Sequence, residues 1–368
     1  MNFMTTDKKR LDARPAAEKG RVIQLIHSPD PGGVLALANS IADGLERHDL
    51  PVETLFLTPA PGVPLAAKLK GALRMVRRLI ADRDAAVIAY QAGPSIVAAL
   101  ANLVARRERL LIHQTTIPSA TKAPVRWLGA LLGTVGLYPV NIVNTVFTKG
   151  EFDDYPAAYR RRLLLIEHGV DRPAIRAARA DTLRRYGIPA EGRILLNTAR
   201  LVEEKTQDTI IRALVDLPDC RLVVAGTGDR RARYERLAAS LGVADRVHLL
   251  GALPYGEVVE LYGIADQFVF PSLHETFGIS AVEAALLALP TIVADIKVLR
   301  EVLTIDGETP VRFVAPRDVA GWVAAIRTFV DSPPPEAERR RFADRLARRY
   351  STERMIDAYV ALLSAPGR

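Results

Sequence analysis

Short apolar runs alternate with longer amphipathic segments along almost the whole chain. In the amino half, residues 22–26, 52–57, 86–89, 109–112 and 144–147 read as strands. Between them, residues 34–45, 65–81, 95–106 and 124–133 repeat apolar positions with helical spacing. The alternation resumes after residue 171, with strands predicted at 194–198, 222–225, 247–249, 267–270, 291–294 and 311–314. A final helical segment covers 351–364. Strands alternating with helices imply an α/β protein whose parallel sheets are covered on both faces. A chain of 368 residues, 49% hydrophobic, predicts two domains with sizeable cores. The pattern divides it into 1–20, a basic flexible tail; 21–170, an amino-terminal domain; 171–345, a carboxyl-terminal domain; and 346–368, a closing helical segment.

Residues 127–148 carry no formal charge and have the length of a membrane span. Gly129, Gly133, Gly136, Pro139, Asn141 and Asn144 interrupt them, and the stretch divides into a helix-like half (127–135) and a strand-like half (141–148). A spanning helix is more uniformly apolar. Trp127 and its leucines instead suit contact with a membrane interface.

Charge narrows the partners. The net charge of +8 and pI near 9.7 call for something anionic. Aromatics are only 6%, and neither a zinc finger nor an RNP motif is present, so nucleic acid is not expected. Residues 65–83 interleave Lys68, Lys70, Arg74, Arg77, Arg78 and Arg83 with Leu65, Leu69, Leu73, Met75, Val76, Leu79 and Ile80. Such a basic amphipathic helix suits an anionic membrane surface, or else it is an ordinary surface helix with its apolar face on the core. The first twenty residues are polar and lack an apolar signal core, so cytoplasmic residence is expected. Cys220, the single cysteine, allows no intramolecular disulfide and reads as packing at a strand start.

The candidate chemistry centres on residues 270–284, which read strand, turn, helix, the helix running from 279 to 289 and ending at Pro290. Glu275 falls in the turn and Glu283 about two helical turns further on. Free amides around Gly278 and Ile279 would attract phosphate oxygens. Two carboxylates accepting hydroxyl bonds beside an anion-binding turn suit a sugar joined to a diphosphate. The plain alternative is a surface glutamate at a turn and a helical glutamate in a salt bridge. A second glycine loop, with Gly32 and Gly33, follows the first strand and lets amides approach an anion. It is not a dinucleotide fingerprint, and neither is Gly226-Thr227-Gly228, because position 231 is Arg. Asp82-Arg83-Asp84 matches Asp-x-Asp but sits where a basic helix ends, and no metal role is expected for it.

Several motifs in order resemble glycosyltransferase family 4, retaining enzymes of the GT-B fold. Glu275 and Glu283 resemble its Glu-x7-Glu signature, with Thr276 where members commonly have Gly. Residues 198–205 resemble its diphosphate-binding segment, and residues 222–229, 246–251 and 289–294 follow its pattern. The resemblance runs from about residue 194 to 363. It implies two Rossmann-like domains facing a central cleft, with the last helix crossing back to the amino domain. It implies that Arg200 and Lys205 stabilise the leaving diphosphate and that Glu275 holds the donor sugar. Glu283 would bind the ribose, and His113, at the end of a strand, would face the cleft and contact the sugar. Gly32, Gly33, Gly226, Thr276, Phe277, Gly278 and Ile279 would line the binding site. His168, in a segment resembling the family's Asn-Gly-Val-Asp, would support the hinge without catalysis. No metal or cofactor is implied beyond the nucleotide-sugar donor, and a glycan or lipid-linked hydroxyl is the expected acceptor. The rival readings are a non-hydrolysing nucleotide-sugar epimerase and a non-catalytic nucleotide-sugar-binding protein.

Overall fold

A computed structural model of the chain describes residues 20–29, 32–60, 63–107 and 109–364. The expected basic tail lies outside these residues apart from Gly20, as do Asp30 and Pro31 of the first glycine loop. The amino half runs β1 (Val22–Ile26), α1 (Gly33–Arg47), β2 (Val52–Phe56), α2 (Leu65–Ala81), β3 (Ala86–Tyr90), α3 (Ala92–Ala105) and β4 (Leu110–His113). It continues through α4 (Ala123–Thr134), β5 (Val140–Val143), α5 (Val146–Gly150), α6 (Ala157–Arg160) and β6 (Leu163–Leu165). The carboxyl half runs α7 (Arg179–Tyr186), β7 (Arg193–Thr198), α8 (Gln207–Ala213), β8 (Cys220–Ala225), α9 (Arg231–Ser240), β9 (Val247–Gly251) and α10 (Tyr255–Tyr262). Then follow β10 (Gln267–Phe270), α11 (Ile279–Leu286), β11 (Thr291–Ala294), α12 (Lys297–Val302), β12 (Arg312–Val314), α13 (Val319–Asp331), α14 (Glu336–Arg349) and α15 (Thr352–Ser364).

Each half forms one six-stranded sheet, ordered β2-β1-β3-β4-β5-β6 and β12-β11-β10-β7-β8-β9. Every strand pairing is parallel. The central strands β1, β3, β4 and β10 are buried along their whole length, as strands covered on both faces must be. On one face of the amino sheet, Met75 and Leu79 of α2 and Ala98 and Ala99 of α3 pack over Ile23, Leu25, Val87 and Ala89. On the other, Leu37, Ile41 and Leu45 of α1 share a core with Met355, Ile356, Tyr359 and Leu363 of α15. The last helix thus crosses from the carboxyl half and completes the amino core. This is the GT-B architecture, two parallel α/β sheets with a cleft between them.

Strand β6 has no counterpart among the expected strands, and two other elements are shifted. The strand expected at 144–147 is β5, four residues earlier, and Asn144 follows it. Thr145 is the N-cap of α5, its hydroxyl accepting from the Thr148 amide at 3.0 Å, so the chain turns into a helix where the apolar pattern alone suggests extension. The helix expected to end at Pro290 stops at Leu286, and Ala288 adopts a left-handed conformation with φ 56°. The uncharged stretch 127–148 is split between α4 and β5, and among the described residues no helix is long and apolar enough to cross a membrane.

Candidate active site

Two turns meet across the cleft. Gly33 opens α1 in the amino half, and a Cβ built on it would lie 3.8 Å from Ile279 Cδ1, at the start of α11. Gly278 caps α11 with φ 87°, a conformation natural to glycine and strained for other residues. Thr276 joins the halves directly, its carbonyl accepting from the Thr145 hydroxyl at 3.3 Å. Nearby, Glu301 of α12 accepts from the Val146 and Phe147 amides, each at 2.7 Å, and so caps α5 from the other half. That contact has no motif in the sequence.

The loop after β7 carries Arg200 and Lys205. Lys205 Nζ donates to Glu275 Oε1 at 2.5 Å, and both side chains are largely buried. Lys205 also lies over the Phe270 ring, 5.7 Å from its centroid. Arg200 is exposed and paired with Glu204 at 3.1 Å. The loop is braced to the segment that bears Glu275: the Thr206 hydroxyl donates to the Pro271 carbonyl at 2.5 Å, and the Leu273 amide to the Glu204 carbonyl at 2.8 Å. Gly226, after β8, supports it from below, since a Cβ there would lie 2.0 Å from the Ala199 carbonyl oxygen. Only glycine permits that approach.

Glu283 sits deeper than expected. It is 5% exposed, and its two carboxylate oxygens accept from the Tyr255 and Tyr262 hydroxyls, each at 2.8 Å. Burial raises its pKa, and the two tyrosine hydrogen bonds oppose the rise without cancelling it. The Tyr255 phenol is pushed up by its own burial and by the carboxylate beside it. The sequence reading saw neither tyrosine, though Tyr262 lies five residues before β10.

Two expected site residues are placed differently. His113 does not face an open cleft: it is 1% exposed, beneath α15, with the Tyr359 hydroxyl 2.7 Å from its Nδ1. Its ring stacks on His168 at 5.5 Å, and burial, then the second histidine, holds its pKa well below the ordinary value. The cause is that β4 directs its last side chain toward the α1–α15 side of the sheet, where Tyr90 and Tyr359 lie. His168 is buried as well, bonded through Nε2 to Asn144 at 2.7 Å, and burial lowers its pKa to about 3. Phe277, expected to line the site, packs its ring between His168 and Tyr350 in the carboxyl core, leaving only its backbone for a ligand. Asp82 is held by Arg78 at 3.2 Å, and among the described residues no group of His, Cys, Asp and Glu is arranged to hold a metal ion.

Residues 179–349 match the family profile described as glycosyl transferases group 1. The match lies in the carboxyl half, and the motifs that resemble glycosyltransferase family 4 fall within it. It is 30% identical over 229 residues to the D-inositol 3-phosphate glycosyltransferase of Mycolicibacterium smegmatis, covering 61% of this chain and 52% of that protein. It is 31% identical over 246 residues to a GDP-mannose-dependent alpha-(1-6)-phosphatidylinositol dimannoside mannosyltransferase of Mycobacterium tuberculosis, covering 63% of this chain and 59% of that one. The chain therefore spans little more than half the length of these two relatives. Its fold is that of Anabaena HepE solved with UDP and glucose, with a TM-score of 0.77, 19% identity, and 94% and 99% of the two chains covered. The matched range spans Arg200, Lys205, Glu275 and Glu283, of which the structure brings Lys205 and Glu275 into contact.

Proposed function

We propose that this protein is a retaining glycosyltransferase that moves a hexose from a UDP- or GDP-linked donor to a hydroxyl acceptor. The observation that carries the reading is the Lys205–Glu275 pair beside the Gly278 turn, opposite Gly33 across the cleft. An ammonium for the diphosphate and a carboxylate for sugar hydroxyls are already held in place, which lowers the reorganisation needed in the transition state. As the anomeric carbon–oxygen bond to the diphosphate breaks, charge gathers on the leaving phosphate. Lys205, Arg200 and the amides at Gly278 and Ile279 stabilise it. The acceptor oxygen bonds the anomeric carbon on the same face, and its proton passes to the leaving phosphate. Glu275 holds and orients the sugar. Ribose binding by Glu283 requires the partly exposed Tyr255 to swing away from Oε1. His113 acts from behind, as a positioning residue beneath the cleft.

The acceptor reading is a lipid-linked glycan intermediate at an anionic membrane surface, on its cytoplasmic side. Support comes from the outer surface of α2, α3 and α4. Leu65, Leu69 and Leu73 of α2 point outward, Leu65 71% exposed, beside exposed Lys68, Lys70 and Arg77. Leu100, Leu103 and Val104 of α3 and Trp127, Leu128 and Leu131 of α4 extend the same apolar surface, Trp127 70% exposed. Apolar area ringed by lysine and arginine matches an anionic bilayer. Arg78 is not part of it: it turns inward to Glu53 and Asp82.

Thermal unfolding with UDP, GDP, ADP and CMP tests the donor reading. Selective stabilisation by UDP or GDP is expected, because a ligand that binds only the folded state raises its melting temperature. No shift with any nucleotide would overturn it. Product analysis without acceptor separates transfer from epimerisation.

A further inference from the structure

The loop that carries Lys205 has a second side. In the strand order, β10 and β8 flank β7 on opposite sides. Lys205 reaches toward the loop after β10, whereas Glu203, two residues earlier, pairs with Arg230 in the loop after β8. Behind that pair, between α8, α9 and the start of α13, lies a cavity of about 300 Å³. Four guanidinium groups line it, from Arg212, Arg230, Arg233 and Arg317, against two carboxylates, Glu203 and Asp208. Its size falls at the lower end of small-molecule sites, ~300–1,000 Å³.

The charges in this cavity are unbalanced. Glu203 is taken by Arg230. Among the described residues Arg212, Arg233 and Arg317 form no ion pair, although all three border one cavity. Arg230 Nε is buried and has no hydrogen-bond partner. A buried donor left unpaired is unfavourable, and beyond Glu203 only the Asp208 carboxylate stands against the three remaining guanidinium groups. The Tyr234 hydroxyl, which donates to Gln207 Oε1 at 3.1 Å, does not accept from Arg230 Nε. Arginine forks arranged around a walled space match the oxygens of a phosphate group, bidentate and doubly charged.

We propose that this cavity is a second anion site, separate from the donor cleft, which takes a small phosphate-bearing molecule. The shared chemistry is a phosphate monoester or free phosphate, and the two sources are distinguishable by experiment. The site also touches the catalytic loop. Thr206 and Glu203 border the cavity, and Thr206 is bonded to Pro271 at the base of the Glu275 segment. Occupancy therefore stiffens the loop that presents Lys205.

The test is the melting temperature of the full chain with inorganic phosphate and with hexose 6-phosphate, in the absence of nucleotide. Both anions are titrated against wild type, Lys205→Ala, Arg212→Gln, and the pair Arg233→Gln with Arg317→Gln. The expected result is stabilisation of wild type and Lys205→Ala alike, with apparent affinity at least ~10-fold weaker in the arginine variants, as for loss of a charge-assisted contact. A response to hexose 6-phosphate alone identifies a sugar phosphate as the ligand; a response to both identifies the phosphate group itself. Arg212, Arg233 and Arg317 are exposed, so the unliganded variants should melt with wild type, and Arg212→Gln probes the site from a different element. No shift with either anion overturns the proposal. So does a shift that survives in the arginine variants and disappears in Lys205→Ala, which would put the anion in the cleft. Neither readout needs a nucleotide or turnover, so failure here is distinguishable from failure of the glycosyl-transfer reading.

Discussion

Lys205 and Glu275 each have a single task, and each depends on the other for its position. The ammonium is held at 2.5 Å from the carboxylate and over the Phe270 ring, so its rotamer is set before any donor arrives. Removing either group leaves its partner charged and largely buried without a counter-charge, besides removing the proposed contact to the donor. Lys205→Ala and Glu275→Ala should each lower transfer ~10²-fold or more, as for loss of an electrostatic or positioning group. Steady-state kinetics on folded variants checks this; near-normal rates would remove these residues from the mechanism. Glu283 makes the contrast. Its carboxylate is already satisfied by two phenols, and the eight-residue spacing from Glu275 gives no hint of them.

At the scale of elements, the turn into α11 is fixed by Gly278. Its φ of 87° and the Leu299 side chain, 2.6 Å from where a Cβ would stand, both resist substitution. Gly278→Ala should cost about 1–2 kcal/mol for the left-handed backbone, and should weaken nucleotide binding because the α11 amides move. Urea unfolding and nucleotide-induced melting shifts measure the two effects separately. Helix α2 carries the other prediction at this scale. Lys68, Lys70 and Arg77 are exposed beside the Leu65–Leu69–Leu73 stripe, whereas Arg78 is committed to Glu53 and Asp82. Exchanging Lys68, Lys70 and Arg77 for Glu should abolish sedimentation with anionic liposomes and leave thermal stability nearly unchanged. Sedimentation equal to wild type would rule out α2 as the docking helix. The α2 pattern was legible in the sequence, but its division between inward Met75 and Leu79 and outward Leu65, Leu69 and Leu73 was not. Helical periodicity reports an apolar stripe, and only neighbouring helices decide how much of the stripe they cover.

Across the whole molecule, the two halves are joined by the Thr145–Thr276 and Glu301 contacts, by α15, and by a chain of rings from Tyr359 through His113 and His168 to Phe277. Both histidines in that chain are buried neutral. Their folded pKa values lie below the unfolded value near 6.5, so the stability they contribute is intact above pH 6.5 and is lost as pH falls. For His168, whose folded value is about 3, the loss continues down to that pH and reaches about 2 kcal/mol at pH 5, from ~1.4 kcal/mol per pH unit. His168→Asn should therefore flatten the dependence of melting temperature on pH between 7 and 5, whatever its effect at neutral pH. An unchanged slope would mean that His168 does not protonate on unfolding in that range.

The sequence by itself determined the two α/β halves, most of the strands that build their sheets, the helix at the end and the strand–turn–helix around Glu275. These follow from periodicity and turn chemistry, which act over a few residues and are written locally. It also carried the resemblance to glycosyltransferase family 4, because several local motifs recur in order. Only the tertiary structure decided what those residues touch. Lys205 meets Glu275 70 residues away, His113 meets Tyr359 246 residues away, and Glu301 reaches back 154 residues to Phe147. The same packing buried His113 where an open cleft was expected, closed two tyrosines over Glu283, and gathered four arginines from two helices and two loops around one cavity. Burial and pairing over such separations come from how sheets, helices and loops stack in space, and no local pattern in the chain encodes the neighbour that each side chain will find.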